Sequence, residues 1–249
     1  MIAASILVVI AGYLLGAIPV GLLVARWRRG IDIRQFGSGS TGATNILRTL
    51  GWQASALVFA GDLAKTMVPV LIAWFLIRSP LVASVTGVAV VAGHCWPVYC
   101  QWNGGRGVTS SLAALLILQP LVAVGSLLVA GVVMARSRFV SLGSLAGVAF
   151  GAMVMAVLIA DRTVPLGDLF FVIGAPLVVF VRHRENILRL LTLALLQASR
   201  GALRRRGKTE RTASATSAGG SSSQEPRLPR SRRAVGGFVP ACARLASRS

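Results

Sequence analysis

Acidic residues are scarce in this sequence. Only seven of its 249 residues are Asp or Glu, and residues of either charge make up 13%. Soluble domains carry about a quarter charged residues, so most of this chain lacks the polar faces that soluble helices need. It is 55% hydrophobic with a mean hydropathy of +0.73, and several apolar stretches reach the ~20 residues that cross a bilayer as a helix. Because unpaired backbone cannot lie in lipid, the composition predicts an all-α, multi-pass membrane protein.

Cysteine and clustered carboxylates are scarce as well. The three cysteines show neither the spacing of metal ligands nor a paired disulfide framework. The few carboxylates are scattered along the chain and form no group that could hold a divalent cation. The sequence therefore predicts no metal and no cofactor, which argues against membrane transferases that depend on closely spaced aspartates.

Basic residues, by contrast, are in excess and unevenly placed. The formal net charge is +19, and twelve Lys and Arg lie in the last fifty residues. On a membrane protein such residues mark the cytoplasmic side and meet anionic lipid headgroups, so no nucleic-acid partner is predicted. Large apolar side chains become rare beyond Leu196. We therefore predict a membrane-embedded domain over 1–196 and a basic, disordered cytoplasmic tail over 197–249.

The apolar stretches predict where the chain crosses the membrane. They cover about 2–25, 52–77, 81–99, 108–135, 142–160 and 164–181. The cluster Arg26, Arg28 and Arg29 follows the first stretch, which places the N-terminus outside. This pattern is typical of a multi-pass protein of the inner, cytoplasmic membrane.

The stretch 108–135 decides the number of crossings. A single crossing there would put the later basic cluster, Arg182, Arg184 and Arg189, outside the cell. A hairpin of two short helices turning at Gln119-Pro120 would instead keep every basic cluster in the cytoplasm. Each arm would have about 12 residues, which is short for a crossing but feasible when packed among neighbours. We therefore predict seven transmembrane helices with the C-terminus cytoplasmic.

A Gly/Ser/Thr-rich segment between the first two stretches is a candidate anion site. It reads GSGSTGATN over 37–45 and is followed by Arg48. Small residues let backbone N–H groups converge on an anion, hydroxyls add donors, and a helix beginning near Thr44 would direct its positive end inward. A flexible connecting loop would have the same composition. No Lys-Ser/Thr pair closes the segment, so it is not a P-loop.

Two further polar groups lie near the same membrane face. Asp62 and Lys65 interrupt an apolar stretch, and intramembrane charges of this kind face a polar cavity or form an ion pair one helical turn apart. Gly104-Gly105-Arg106-Gly107 offers bare backbone and one guanidinium, a composition suited to phosphate. His94, which precedes it, fits a hydrogen-bonded packing residue better than a catalyst.

The last polar group follows the final apolar stretch. It reads Arg182-His183-Arg184-Glu185-Asn186. Histidine serves as a general base near neutral pH, and two flanking cations favour its neutral form. Together the four groups bring many cations and two glycine-rich loops to one membrane face, as a site for one or two phosphate groups requires.

These motifs resemble those of the bacterial acyl-phosphate glycerol-3-phosphate acyltransferases, the PlsY family. The resemblance rests on GSGSTGATNILR at 37–48, GHCWPVYCQWNGGRGV at 93–108, VSL at 140–142 and RHRENILRL at 182–190. Their order and spacing match over about residues 1–195. The family is a seven-helix membrane enzyme that transfers a fatty acyl group from acyl phosphate to the 1-position of glycerol 3-phosphate, giving lysophosphatidic acid and phosphate.

The resemblance also implies roles for individual residues. Ser141, His183 and Asn186 are expected to be catalytic. The expected phosphate-binding residues are Ser38, Gly39, Ser40, Asn45, Arg48, Lys65, Gly104, Gly105, Arg106 and Gly107. Three positions depart from the family pattern, which usually has Asn at Ser40, Gly at Thr66 and Lys at Arg106. The forked guanidinium of Arg106 keeps the charge but is not equivalent to an ammonium group.

The expected partners follow from this chemistry. They are acyl phosphate, glycerol 3-phosphate, membrane lipid and a cytosolic phosphate acyltransferase that supplies the donor. Acyl phosphate is already activated, and the sequence contains no nucleophile elbow. The alternative is a small membrane transporter or channel for an organic phosphate. It would explain intramembrane charge and interrupted helices, but it requires a site near the midplane rather than motifs gathered at one face.

Overall fold

The computed structural model describes residues 1–189 together with Thr192, Leu195 and Leu196. Helices are the only regular secondary structure in this part of the chain, as predicted, and residues Met1–Thr192 form one structural unit. The predicted tail, 197–249, lies outside the described residues. The helices are α1 Ile2–Gly16, α2 Val20–Arg29, α3 Ala43–Leu50, α4 Trp52–Ile72, α5 Pro80–Cys95, α6 Val108–Leu118, α7 Pro120–Ser137, α8 Val140–Ala160 and α9 Leu169–Arg182.

Within the part of the chain that the structure describes, five helical stretches are long and apolar enough to cross a membrane. They are Ile2–Arg29, Trp52–Ile77, Pro80–Cys100, Pro120–Ser137 and Val140–Ala160. Two further apolar helices are shorter, because α6 has 11 residues and α9 has 14. The chain is therefore a multi-pass membrane protein, as its composition predicts.

The first predicted span is not one straight helix. It breaks between α1 and α2, where Pro19 has no N–H to donate and disfavours helical backbone at the residue before it. At the break the carbonyl oxygen of Ile18 accepts two hydrogen bonds, from the N–H of Val20 at 3.0 Å and from Nζ of Lys65 at 2.8 Å. The first predicted span, about 2–25, is therefore confirmed as the apolar stretch Ile2–Arg29, and its kink is stabilised by the buried side chain of Lys65 on α4.

The predicted break at Gln119-Pro120 is present. α6 ends at Leu118 and α7 begins at Pro120, with the single residue Gln119 in extended backbone between them. The second arm is longer than the predicted 12 residues, because α7 continues for 18 residues. It ends at Arg138, whose φ of 61° takes the chain out of the helix.

Small residues bring α7 and α8 close together. A Cβ on Gly143 would lie 2.6 Å from the carbonyl oxygen of Ala130, and one on Gly147 would lie 2.7 Å from that of Ser126. Only glycine permits such backbone contact, which is the usual way that membrane helices pack. The pair α7–α8 therefore forms one wall of the molecule, facing α6 and α9.

The last predicted span begins later than expected. A 3₁₀ turn over Leu166–Asp168 precedes α9, which starts at Leu169 rather than at 164. Asp168 is fully buried, and Oγ of Ser84 on α5 donates a hydrogen bond to its Oδ1 at 2.7 Å. This bond ties the start of α9 to α5 at the end of the molecule away from the glycine-rich loops.

Candidate functional site

One cavity joins the ends of several helices. It has a volume of about 470 Å³ and is bordered by residues of α3, α6, α7, α8 and α9. Cavities of about 300–1,000 Å³ are typical of small-molecule sites. One end is polar and lies beside the two glycine-rich loops. The remainder runs between α6, α7, α8 and α9 and is largely apolar.

The first loop is organised by the side chain of Asn45. Its Oδ1 accepts a hydrogen bond from the backbone N–H of Ser38 at 3.0 Å. Its Nδ2 donates to the carbonyl oxygens of Phe36 and Ser40 at 3.0 and 2.9 Å. Asn45 is only 2% exposed. These bonds occupy its amide, so Asn45 holds the loop in shape while Ser38 and Ser40 border the cavity.

Glycine is required at two positions of this loop. Gly37 and Gly39 have φ values of 60° and 69°, in the left-handed region that costs other residues energy. Gly39 does not border the cavity, so its contribution is to turn the chain. α3 begins at Ala43, close to the predicted start, and Thr44 in its first turn borders the cavity.

The second loop packs tightly against His94. The N–H of Gly105 donates to the carbonyl oxygen of His94 at 3.0 Å, and a Cβ on Gly105 would collide with the His94 ring. The guanidinium of Arg182 donates to the carbonyl oxygens of Gly104 and Gly105, both at 3.2 Å. Neither glycine borders the cavity, and neither does Gly107; Arg106 does. The glycines therefore shape the loop that presents Arg106.

Four arginines border the polar end of the cavity, and the three whose charges lie near one another are here called the cationic end. These three are Arg48, Arg106 and Arg189. Arg106 is half-buried, and this burial, with the nearby charges of Arg182, Arg48 and Arg189, lowers its pKa. Within the described residues, none of the three forms an ion pair with a carboxylate. Their positive charge is therefore available to an anionic ligand.

Lys65 does not belong to this group, although the sequence suggested it. Its Nζ lies 2.9 Å from Oδ1 of Asp62 and does not border the cavity. Oδ1 of Asp62 is also 3.5 Å from Nδ1 of His94. The side chains of Lys65 and Asp62 are 6% and 2% exposed. Of the two interpretations left open by the sequence, the structure gives the ion pair.

His183 borders the cavity, and one of its ring nitrogens can accept a proton. It is 1% exposed, and its Nδ1 lies 2.9 Å from the carbonyl oxygen of Val179. A carbonyl only accepts hydrogen bonds, so the proton lies on Nδ1 and the lone pair on Nε2. Burial lowers the pKa of His183, and Arg106 and Arg182 lower it further against the opposing effect of Val179. The ring is therefore a neutral base.

Two hydrogen-bond donors accompany His183. Asn186 borders the cavity, and its buried Nδ2 has no partner within the described residues. Ser141, in the first turn of α8, borders the cavity from the opposite side. The structure thus brings Ser141, His183 and Asn186 to one cavity together with the cationic end.

The comparisons with known proteins agree with this arrangement. Residues 6–193 match the family profile described as glycerol-3-phosphate acyltransferase. The chain belongs to this family. A glycerol-3-phosphate acyltransferase of Crocosphaera subtropica is 42% identical over 198 residues, covering 75% of this chain and 90% of the relative. Glycerol-3-phosphate acyltransferase 3 of Dehalococcoides mccartyi is 40% identical over 205 residues, covering 77% and 94%.

Solved structures of an acyltransferase of this family have the same fold. The glycerol 3-phosphate form of PlsY, an integral membrane glycerol 3-phosphate acyltransferase, is 39% identical with a TM-score of 0.69. The lysophosphatidic acid form is 38% identical with a TM-score of 0.68. Each covers 76% of this chain and 92% of the PlsY chain.

Some residues that border the cavity were not predicted as site residues. Thr44, Arg138 and Arg189 border its polar end. Arg189 could have been found, because residues 184–189 are helical and it lies one turn beyond Asn186. The apolar part, bordered by Leu112, Val148 and others, carries no such signal, since its residues are indistinguishable from ordinary membrane-helix residues.

Proposed function

We propose that this chain transfers a fatty acyl group from acyl phosphate to the 1-hydroxyl of glycerol 3-phosphate, as a step of phospholipid synthesis. The products are 1-acyl-glycerol 3-phosphate, a lysophosphatidic acid, and inorganic phosphate. The proposal places the reaction at the inner face of the cytoplasmic membrane.

The observation that carries the proposal is the two-part cavity. Its cationic end has guanidinium groups that suit phosphate and that have no carboxylate ion-pair partner among the described residues, and the same cavity continues as an apolar groove. An acyl phosphate has a matching anionic head and apolar tail. Leu127 and Phe139, which border the cavity, are 54% and 47% exposed, so the groove reaches the lipid-facing surface. A donor dissolved in the bilayer could enter there.

In the proposed mechanism the chain supplies no covalent nucleophile. Arg48 and Arg106 neutralise the substrate phosphates and hold the glycerol hydroxyl beside the acyl carbon. The hydroxyl oxygen attacks that carbon, the acyl–phosphate bond breaks, and phosphate leaves with the bonding electrons. Ser141 and Asn186 donate hydrogen bonds to the oxyanion that forms. The hydroxyl proton goes to Nε2 of His183 or to a substrate phosphate.

The proposed topology has seven crossings with the N-terminus outside. They are α1 with α2, α4, α5, α6, α7, α8 and α9, where α6 and α7 form the hairpin. This arrangement is supported by its charge distribution, because it puts Arg26–Arg29, Arg48, Arg106, Arg136 and Arg182 on the same side. A thiol introduced at Ser137 should then be protected from impermeant reagent outside intact cells. Labelling at that position would contradict the hairpin crossing.

The remaining parts of the proposal concern partners. A cytosolic phosphate acyltransferase would supply the acyl phosphate, which the bilayer then holds near the groove. The basic segment 197–249 is proposed to be a separate cytoplasmic tail that contacts anionic lipid and takes no part in the chemistry.

A donor-exchange assay tests the function. Purified protein in detergent is given labelled glycerol 3-phosphate with either acyl phosphate or acyl coenzyme A of the same chain length. We expect lysophosphatidic acid and one equivalent of inorganic phosphate from acyl phosphate alone. Equal or faster reaction with acyl coenzyme A would refute the proposed donor. Absence of transfer, with flux of glycerol 3-phosphate in vesicles, would favour a transporter.

A further inference from the structure

The apolar groove ends partway along each of its four helices, and it reaches deepest on α8, because Leu115 and Ser126 lie beside Gly151, one turn before Met155. The deepest residues that border it are Leu115 on α6, Ser126 on α7, Met155 on α8 and Phe171 on α9. Met155 is 1% exposed and Phe171 is 5% exposed, and both belong to the same buried hydrophobic cluster. The side chains of Met155 and Phe171 therefore lie at the closed end of the groove.

The space around the closed end is filled. Leu118, Val122 and Ala123 lie one turn beyond Leu115 and Ser126 on α6 and α7, are 2%, 6% and 1% exposed, and do not border the cavity. They belong to the hydrophobic cluster that contains Met155. Protein interiors are close-packed, and extra atoms forced into them are destabilising. A ligand tail that reaches Met155 thus meets the packed side chains of this cluster.

The length of the groove can be read along α8. Ser141, at the polar end, and Met155, at the closed end, are fourteen residues apart in a continuous helix, which corresponds to about 21 Å at a rise of ~1.5 Å per residue. On α9, His183 and Phe171 are twelve residues apart, or about 18 Å. An all-trans, fully staggered chain of roughly 16 carbons spans this distance.

We propose that the closed end of the groove sets the acyl-chain length that the enzyme prefers, at about 16 carbons for a saturated chain. Met155 and Ala152 are the specificity-determining residues: Met155 forms the end, and Ala152 borders the groove one turn before it. The proposal rests on the proposed function, because the acyl group must have its carbonyl at the polar end.

Enlarging Ala152 shortens the groove. In Ala152→Leu the new side chain occupies the space of the last few methylene groups, so the preferred chain becomes shorter by roughly two to four carbons. The matched control is Ala149→Leu, because Ala149 lies on the same helix but is exposed and does not border the cavity. The control retains the wild-type length profile.

Shortening Met155 has the opposite effect. Met155→Ala removes three heavy atoms at the closed end, and the preferred chain becomes longer by roughly two to four carbons if the cavity stays open. Met153→Ala is its control, since Met153 is 61% exposed and faces away from the groove. KM for glycerol 3-phosphate stays at the wild-type value in all four variants.

The test uses full-length protein and saturated acyl phosphates of graded length, with kcat/KM as one measurement. The second is thermal stabilisation by lysophosphatidic acids of the same lengths, which requires no turnover. Opposite shifts in Ala152→Leu and Met155→Ala support the proposal. Unchanged length profiles in both variants, with folding intact, overturn it and mean that the tail leaves between the helices. If the wild-type protein is inactive but is stabilised most by lysophosphatidic acids of one chain length, the proposed reaction is refuted. The length limit of the groove is then still supported.

Discussion

Two groups of charged residues lie near the same loops, and they differ in how their charge is balanced. In the paired cluster, defined as Asp62, Lys65 and His94, a carboxylate lies 2.9 Å from an ammonium group that also donates to a backbone carbonyl. In the cationic end, Arg48, Arg106 and Arg189 have no carboxylate partner within the described residues. A buried charge paired with an opposite one supports structure, whereas a charge without such a partner at a cavity is positioned for a ligand.

The largest expected effect concerns the base beside the cationic end. If His183 accepts the hydroxyl proton, His183→Ala lowers kcat by roughly two to four orders of magnitude. The lowered pKa of His183 means that wild-type activity persists below the ordinary value of 6.5 and falls only at more acidic pH. That acidic limb disappears in the variant. A loss of less than about tenfold with an unchanged pH profile would assign the proton to a substrate phosphate.

Breaking the paired cluster should affect stability more than catalysis. Asp62→Ala leaves the ammonium group of Lys65 buried without its partner, which typically costs about 3–5 kcal/mol. The double variant Asp62→Leu/Lys65→Met removes both charges and should recover most of that loss. Thermal or denaturant unfolding in detergent measures the difference. If Asp62→Ala unfolds at the same midpoint as wild type, the pair does not stabilise the fold.

Removing a cation from the site should affect catalysis more than stability. Arg106→Ala loses a charge-assisted hydrogen bond worth about 1.5–3 kcal/mol, so kcat/KM falls by roughly one to two orders of magnitude. The melting temperature should hold or rise, because Arg106 is surrounded by like charges. Arg106→Lys retains the positive charge and much of the activity. Full activity in folded Arg106→Ala would exclude Arg106 from the phosphate site.

The smallest effect is expected from removing the tail. Truncation after Ser199 should leave the specific activity of the solubilised enzyme within about twofold, since 200–249 lies beyond the family match, which ends at residue 193. Binding to anionic vesicles should weaken by at most ~1 kcal/mol per basic residue near the surface. A truncated protein that is folded yet inactive would mean that the tail contributes to the site.

The sequence predicted the helical class, the break at Gln119-Pro120 and the two glycine-rich loops, because these depend on local chemistry. Left-handed backbone at Gly37 and Gly39 is a property of those residues themselves. The role of Asn45 depends on hydrogen bonds to Phe36, Ser38 and Ser40 in its own loop, and that of Lys65 on a contact across the fold. Lys65 donates to the carbonyl oxygen of Ile18, 47 residues away, which lies at the break that Pro19 makes in the first span.

The apolar groove could not be predicted from the sequence, for a related reason. Its walls consist of ordinary membrane-helix residues, such as Val148 and Phe171, and whether these face lipid, core or a cavity depends on the packing of four helices. That packing depends in turn on contacts such as those at Gly143 and Gly147, which set the approach of α7 to α8. Composition alone distinguishes none of these environments.

The contrast between the paired cluster and the cationic end is tested most directly by the affinity for glycerol 3-phosphate. Its dissociation constant would be measured for wild type, Arg106→Met and Asp62→Leu/Lys65→Met, each confirmed as folded. We predict that Arg106→Met binds roughly 10- to 100-fold more weakly, since it loses a charge-assisted contact, while the double variant stays within about twofold of wild type. Weaker binding in the double variant together with unchanged binding in Arg106→Met would contradict the account.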